Sequence, residues 1–212
     1  MIEQRVNLVS VDLFNLINSL NLLNYRKLET ETKKVTMNKL RIIKYGNPIL
    51  RMKARKVDKI GRRIQKLVAD MILTMQVDCG IGLAAPQVAE SIALLVVDHS
   101  LIYEDGIATA YINPEIIAAE GESLLEEGCL SVPEIHEEVK RPEIITLRHQ
   151  TIQGETKEEK FDGLLARVLQ HEIDHLNGVL FVDRISALKK QLLKKELKAI
   201  SEEELMVMKE VA

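Results

Sequence analysis

The middle of the chain alternates apolar runs with turn residues, a pattern that predicts strands packed against helices. Apolar residues between Ile64 and Met75 recur at helical spacing and predict an amphipathic helix. The continuous apolar run Ile92–Val97 predicts a strand. Asp162 can cap a helix over Gly163–Leu176, and Gly178 stands where a residue in left-handed conformation would end it.

Shorter apolar stretches complete the pattern. The strands they predict are Leu40–Lys44, Tyr111–Ile112, Glu115–Ala119 and Ile144–Arg148. A final helix is predicted over Ser186–Ile200. Several short strands around one central helix indicate an α+β fold, which we expect to consist mostly of short antiparallel sheets with a C-terminal helix.

The composition excludes several classes of protein. Among 212 residues, 29 basic and 32 acidic side chains leave a net charge of −3, which argues against a strongly basic DNA-binding module. Aromatic residues make up 3% and tryptophan is absent, so we expect no stacking platform for single-stranded nucleic acid. No apolar run reaches the roughly 18 residues of a membrane span, so we predict no membrane partner.

An HExxH pattern, residues 171–175, lies on the predicted central helix. Residues four apart share a helix face, so both imidazoles can bind one transition metal, with Glu172 beside it as a base. A helix with two histidines on a solvated face explains the same pattern, although the apolar stretch before His171 favours burial. A metzincin would carry another histidine six residues after His175, and Phe181 stands there instead.

The chain has two cysteines, Cys79 and Cys129, too few for a disulfide scaffold. This predicts a reducing setting and a cytoplasmic protein. Cys129 lies in the segment Glu127–Ser131, and its thiolate would suit a site for zinc or iron(II). A small buried core cysteine is the alternative. Cys129, together with His171 and His175, gives a Cys/His/His ligand set with an open coordination position.

A glycine-rich loop, Gly80–Gln87, precedes the apolar strand. It lacks the third glycine of a dinucleotide-binding loop and the Lys-Ser/Thr of a P-loop. Its small residues would let a peptide-like ligand approach the backbone, and Gln87 offers an amide donor to a developing oxyanion. An ordinary turn with a surface glutamine explains the same residues.

Together these stretches resemble the three ordered motifs of the peptide deformylase family: a GxGxAAxQ loop, an EGCxS segment and a QHExDH helix. The chain has them complete and in order, at Gly80–Gln87, Glu127–Ser131 and Gln170–His175. The resemblance covers about residues 37–195. It implies an enzyme that removes the formyl group from the N-terminal formylmethionine of newly made proteins and releases formate.

The resemblance also implies a role for each site residue. One iron(II) per chain, replaceable by zinc, nickel or cobalt, would be held by Cys129, His171 and His175. Glu172 would be the acid and base, Gln87 and the Leu130 backbone N–H would stabilise the oxyanion, and Gly82 would border the substrate backbone. The candidate walls of an apolar methionine pocket are Ile81, Leu125, Leu164 and Val168. His136 stands where some members carry an arginine that can touch the substrate backbone.

The resemblance divides the chain into three segments. We predict a catalytic domain over residues 37–200, including the C-terminal helix, and an acidic tail over 201–212. Residues 1–36 have no counterpart in the family and form a predicted N-terminal extension, which we expect to be dispensable for catalysis. Its amphipathic stretch is followed by the polar run Glu29–Lys34.

A cluster of lysines marks the final predicted helix, and it consists of Lys189, Lys190, Lys194, Lys195 and Lys198. The cluster is explained either by a solvated helix face or by a contact with ribosomal RNA. Two rival functions stay open here: a general metallopeptidase that uses the same HExxH pattern, and a ribosome-associated binding module without activity. Comparing a formylated with an unblocked peptide as substrate separates the first rival from a deformylase.

Overall fold

A computed structural model describes residues 37–211 of the protein. The predicted N-terminal extension, residues 1–36, lies outside the described residues. Within the described range, none of the helices combines the length and apolar character that a membrane crossing requires.

Seven strands lie between the first and second α-helices of the described part of the chain. The strands are β1 (Gly82–Ala84), β2 (Leu94–Asp98), β3 (Ala108–Glu120), β4 (Ser123–Cys129), β5 (Val132–Arg141), β6 (Ile144–Gln150) and β7 (Thr156–Asp162). The α-helices are α1 (Arg62–Val77), α2 (Gly163–Leu176), α3 (Ala187–Leu192) and α4 (Lys194–Val211). Short 3₁₀ turns connect several of them, including one at Ala85–Val88.

The fold is mixed, with antiparallel sheets, as predicted. Five strands form one antiparallel sheet in the order β1-β2-β3-β6-β7, and β4 and β5 form a separate hairpin. Strand β2 is buried on both faces because helices cover both. Leu94 and Val96 pack in the cluster that contains α1, whereas Leu95 and Val97 pack in the cluster that contains α2.

The helix predicted between Ile64 and Met75 is present as α1, and α2 has the predicted bounds. Gly178 adopts a φ of 73°, in the left-handed region. Its N–H donates to His175 O (3.2 Å) and the N–H of Val179 donates to Asp174 O (2.9 Å), which satisfies carbonyls at the end of the helix. The prediction for Asp162 was wrong in one respect, because it precedes α2 without a capping hydrogen bond from its side chain.

Several predicted strands differ from the structure. Leu40–Lys44 is not a strand but a segment without regular secondary structure, and it is anchored by a hydrogen bond from Ile43 N–H to Gln87 O (2.8 Å). The two strands predicted around Pro114 form the single strand β3, whose register with β6 shifts between Ile112 and Glu115. The bulge absorbs the proline without breaking the strand.

The C-terminal helix was predicted with the wrong bounds. It divides at Leu193 into α3 and α4, and α4 continues through the segment predicted as an acidic tail. The reason is a buried acid, since Glu204 accepts hydrogen bonds from Asn47 Nδ2 (2.8 Å) and Arg41 Nη2 (2.5 Å). Glu204 therefore anchors this part of α4 to the segment that contains Arg41 and Asn47.

Candidate metal centre

Helix α2 places two imidazoles side by side. His171 and His175 are one helical turn apart, both are buried, and their ring centroids lie 5.1 Å apart. The opposite side of the helix carries Leu165, Leu169 and Ile173 into the core beside the large sheet. One helix thus serves both the core and the site, which explains why its sequence is apolar and yet contains a polar motif.

The hairpin β4–β5 supplies a thiol to the same point. Cys129 is the last residue of β4, and its Sγ lies 3.3 Å from His175 Nε2. The ligand atoms of Cys129, His171 and His175 all lie within 4.8 Å of one another. One thiolate and two imidazoles suit zinc or iron(II), and they leave a coordination position open, so the residues present fit a catalytic metal ion.

The pKa values of the two histidines shift in opposite directions. Burial lowers the pKa of His175 well below its ordinary value, which keeps the imidazole neutral. Burial acts in the same direction on His171, but hydrogen bonds with Cys129 and Glu127 raise its pKa above the ordinary value. The proton that His171 holds is one that metal binding would release.

Glu127 joins the hairpin to the helix just behind the imidazoles. Its carboxylate lies 2.9 Å from His171 Nδ1 and accepts two hydrogen bonds from Arg141, at 2.6 and 2.9 Å. Arg167 on α2 donates a further bond, at 2.9 Å. Burial acts to raise the pKa of Glu127, but the bonds from Arg141 and His171 hold it well below its ordinary value. A carboxylate in this position fixes the ring that would face the metal.

Asp174 closes the same buried network from the helix side. It accepts a hydrogen bond from Arg141 Nη1 (2.6 Å) and pairs with Arg184. Arg141 thus bridges an acid on β4 and an acid on α2, and all three side chains are buried. Glu127 and Asp174 belong to the quoted motifs, but sequence reasoning assigned them no role. Arg141 lies outside the motifs, and no sequence pattern indicated its role.

Glu172 sits between the histidines and the glycine-rich loop. It is buried, its Oε2 has no hydrogen-bond partner among the described residues, and burial raises its pKa to about 7. A Cβ on Gly82 would lie 2.6 Å from Glu172 Oε1, so only glycine admits the carboxylate here. A buried carboxyl group with a pKa near neutrality is suited to general acid–base chemistry.

Gln87 and Leu130 border the same site. The Oε1 atom of Gln87 accepts from Ala84 N–H (2.8 Å), which turns its Nε2 donor towards Cys129 Sγ at 3.6 Å. Leu130 follows Cys129 in the turn between β4 and β5. Its side chain touches the glycine-rich loop, because a Cβ on Gly80 would lie 2.8 Å from Leu130 Cδ1.

A cleft of about 880 Å³ opens onto these residues. Of the predicted pocket residues, those that line it are Ile81, Gly82, Leu164 and Val168. Leu125 does not line the cleft, and its side chain is exposed on β4. His136 also lines the cleft, packed against Gly128.

An α+β fold that carries two histidines, a buried glutamate and a thiol at one cleft is the arrangement of a metal-dependent hydrolase. Comparison with known proteins makes the class specific. The family model for polypeptide deformylase matches residues 39–191. The chain belongs to the polypeptide deformylase family, and it is an enzyme that removes the N-formyl group from newly made proteins.

Individual relatives support the assignment over most of the domain. The chain is 52% identical to a peptide deformylase of Dictyoglomus turgidum over 145 residues, which cover 68% of this chain and 92% of that one. Identity to the Chlorobaculum tepidum peptide deformylase is 49% over 160 residues, 74% and 86% of the two chains.

Solved structures of peptide deformylases support the same family assignment. A peptide deformylase from Legionella pneumophila superimposes with a TM-score of 0.72 at 38% identity, covering 78% of this chain and 96% of that one. The Thermotoga maritima enzyme gives a TM-score of 0.67 at 44% identity, covering 70% and 99%.

The buried network makes a prediction about stability. Replacing Arg141 by methionine leaves Glu127 and Asp174 without their shared cation, and breaking a buried pair in this way costs about 3–5 kcal/mol. The Arg141→Met protein should therefore unfold at a clearly lower urea concentration and bind zinc more weakly. Arg148→Met is the matched control, because Arg148 pairs with Glu158 at the surface of β6, where little stability is expected from the pair. Equal midpoints for the two variants would contradict the network's role.

Proposed function

We propose that Cys129, His171 and His175 hold the metal ion of this deformylase, and that Glu172, Gln87 and Leu130 carry out its chemistry. The observation that carries the proposal is the convergence of three ligand atoms within 4.8 Å beside a buried carboxyl group. A general metallopeptidase is disfavoured because the third candidate ligand is a cysteine, and membership of the deformylase family supplies the substrate.

Glu172 is the proton carrier in this proposal. A metal ion held at the site supplies Lewis acidity, which lowers the pKa of water and polarises a carbonyl oxygen. Glu172 accepts a proton from the water that attacks the formyl carbon. As the C–N bond breaks, it delivers that proton to the leaving nitrogen, so that formate and a free amino terminus are the products. A carboxyl group with a pKa of about 7 can do both.

The oxyanion is stabilised from two sides. Gln87 Nε2 is held in place by the bond between its Oε1 and Ala84 N–H, and it points to the side of the site where Cys129 lies. The backbone N–H of Leu130 comes from the adjacent turn. Preorganised donors of this kind typically contribute about 3–4 kcal/mol each, because they need no reorientation during the reaction.

The formylmethionine side chain would occupy the apolar part of the cleft. Ile81, Leu164 and Val168 line it, and Gly82 leaves room for the substrate backbone beside β1. An unbranched thioether is flexible enough to fill a pocket of aliphatic walls. We place Leu125 outside this pocket because it does not line the cleft.

We assign iron(II) as the resident metal, with zinc, nickel or cobalt able to replace it. The donor set supports this assignment, since a thiolate with two imidazoles accommodates each of these ions. We also propose that the C-terminal lysines contact ribosomal RNA. Lys194 and Lys195 are exposed and form no salt bridge within residues 37–211, whereas Lys189 and Lys190 pair with Glu137 and Asp183.

Replacing Glu172 by glutamine should abolish most activity without emptying the site. Glutamine preserves the shape but cannot accept the proton, so formate release should fall by about 10²–10⁴-fold. Metal content and thermal stability should stay near those of the parent. Glu158→Gln, a change at an exposed acid on β7, is the control and should leave the rate unchanged. A Glu172→Gln protein with the parent rate would refute the assignment.

The metal assignment predicts sensitivity to air. A thiolate beside iron(II) exposes both the metal and Cys129 to oxidation. The iron-loaded enzyme should therefore lose formate release faster in air than the nickel-loaded enzyme, while both should be stable under anaerobic conditions. Equal lifetimes of the two forms in air would count against iron as the resident metal.

The ribosome proposal predicts a salt-dependent contact. Charge reversal at Lys194 and Lys195 should reduce co-sedimentation with ribosomes, and added salt should have the same effect on the parent. Hydrolysis of a small formylated peptide should be unaffected, because neither lysine lines the cleft. Reversal at Lys160, an exposed lysine on β7, serves as the control. Unchanged co-sedimentation of the Lys194 and Lys195 charge-reversal variant at low salt would refute the ribosome proposal.

A further inference from the structure

The segment of residues 43–45 runs between the glycine-rich loop and the turn that follows Cys129. The N–H of Ile43 donates to Gln87 O, and the N–H of Tyr45 donates to Ser131 O, both at 2.8 Å. Between them the side chain of Lys44 donates from Nζ to Leu130 O at 2.6 Å. The segment therefore holds both backbone stretches that provide the proposed oxyanion donors.

Lys44 contacts one end of a peptide group whose other end faces the sulfur. Leu130 O and Ser131 N belong to the same amide, and Ser131 N–H donates to Cys129 Sγ at 3.4 Å. A cation at a carbonyl oxygen polarises the amide and makes its N–H a stronger donor, because hydrogen bonds in a chain strengthen one another. Lys44 can therefore influence the Cys129 sulfur through this peptide group without contacting the sulfur directly.

The surroundings of Lys44 support a local task for its charge. The ammonium is half-buried at the wall of the cleft, and it forms no salt bridge with any residue between 37 and 211. The neighbouring Lys39 and Arg41, by contrast, pair with Asp78 and Glu204. We therefore take the hydrogen bond to Leu130 O as the main interaction of the Lys44 side chain.

We propose that Lys44 is a positioning residue that acts, through the Leu130–Ser131 peptide group, on the Cys129 thiolate and on the Leu130 N–H. This inference rests on the proposed metal site and deepens it. The bond from Ser131 N–H withdraws electron density from the thiolate, and outer hydrogen bonds of this kind tune a metal site. The bond to Leu130 O fixes the orientation of the peptide groups on either side of Leu130.

The test uses the full chain with cobalt(II) in the site, because a thiolate ligand to cobalt gives a charge-transfer absorption band. Lys44→Met removes the cation and the donor but keeps the length of the side chain. Its band should move to longer wavelength, since a thiolate that loses hydrogen-bond stabilisation gives up an electron more easily. The kcat for a short formylated peptide should fall by about tenfold with KM unchanged, because the oxyanion donor is displaced and not removed.

Two further variants make the result specific. Lys44→Gln keeps a neutral donor to Leu130 O, so its band should lie between those of the parent and Lys44→Met, and it carries the test if the methionine variant does not fold. Lys66→Met is the matched control on α1, where Lys66 pairs with Asp70, and it should leave the band and kcat unchanged.

The outcomes separate this inference from the proposal beneath it. If the parent cobalt protein shows no thiolate charge-transfer band, the metal-site proposal has failed. If the band is present in the parent and stays at the same wavelength in a folded Lys44 variant, the inference about Lys44 is overturned and the metal site stands. A rise in KM with unchanged kcat and an unmoved band would assign Lys44 to substrate binding and likewise overturn it.

Discussion

The contact between the β4–β5 hairpin and helix α2 is the constraint on which the site depends. The candidate thiolate comes from the hairpin and both imidazoles come from the helix, so the three ligand atoms meet only if these elements keep their relative position. Glu127, Arg141 and Asp174 join them through charge-assisted hydrogen bonds in a buried setting. Burying these charges is costly, and hydrophobic residues of similar volume could stabilise the contact equally well. The ion network also fixes the relative orientation of the two elements, because each carboxylate accepts hydrogen bonds from defined donors. The carboxylate of Glu127 in turn orients the His171 ring.

The large sheet provides the rigid support behind this contact. Strand β2 is buried between α1 and α2, and β1 presents Gly82 to Glu172 at a distance that no side chain would allow. The acid is therefore placed by the core, the thiol by the hairpin, and the amide of Gln87 by a short 3₁₀ turn whose carbonyl is tied to residue 43. Three separate pieces of backbone thus converge on the site, and packing and hydrogen bonds hold each of them in place.

Sequence patterns predicted those helices and strands whose formation depends on residues close together in the chain. The flanking residues Asp162 and Gly178 predicted the bounds of α2. The motif residues that the structure brings together lie on α2, at the end of β4 and in the glycine-rich loop. Strands β4, β5 and β7 escaped prediction because their charged residues obscure any apolar alternation. The continuation of α4 also escaped, since Glu204 is buried by Asn47, a partner 157 residues away. Arg141 and Lys44 act through contacts of the same long-range kind.

X-ray absorption spectroscopy of the zinc-loaded protein tests the central claim most directly, because it counts the ligands and identifies their elements. The account predicts one sulfur at about 2.3 Å and two imidazole nitrogens at about 2.0–2.1 Å. The sulfur should disappear in Cys129→Ser and remain in Cys79→Ser, since Cys79 is exposed and lies outside the group of ligand atoms formed by Cys129, His171 and His175. A metal shell without sulfur in the parent, or one that keeps its sulfur in Cys129→Ser, would contradict the assignment of Cys129, His171 and His175 as the metal site.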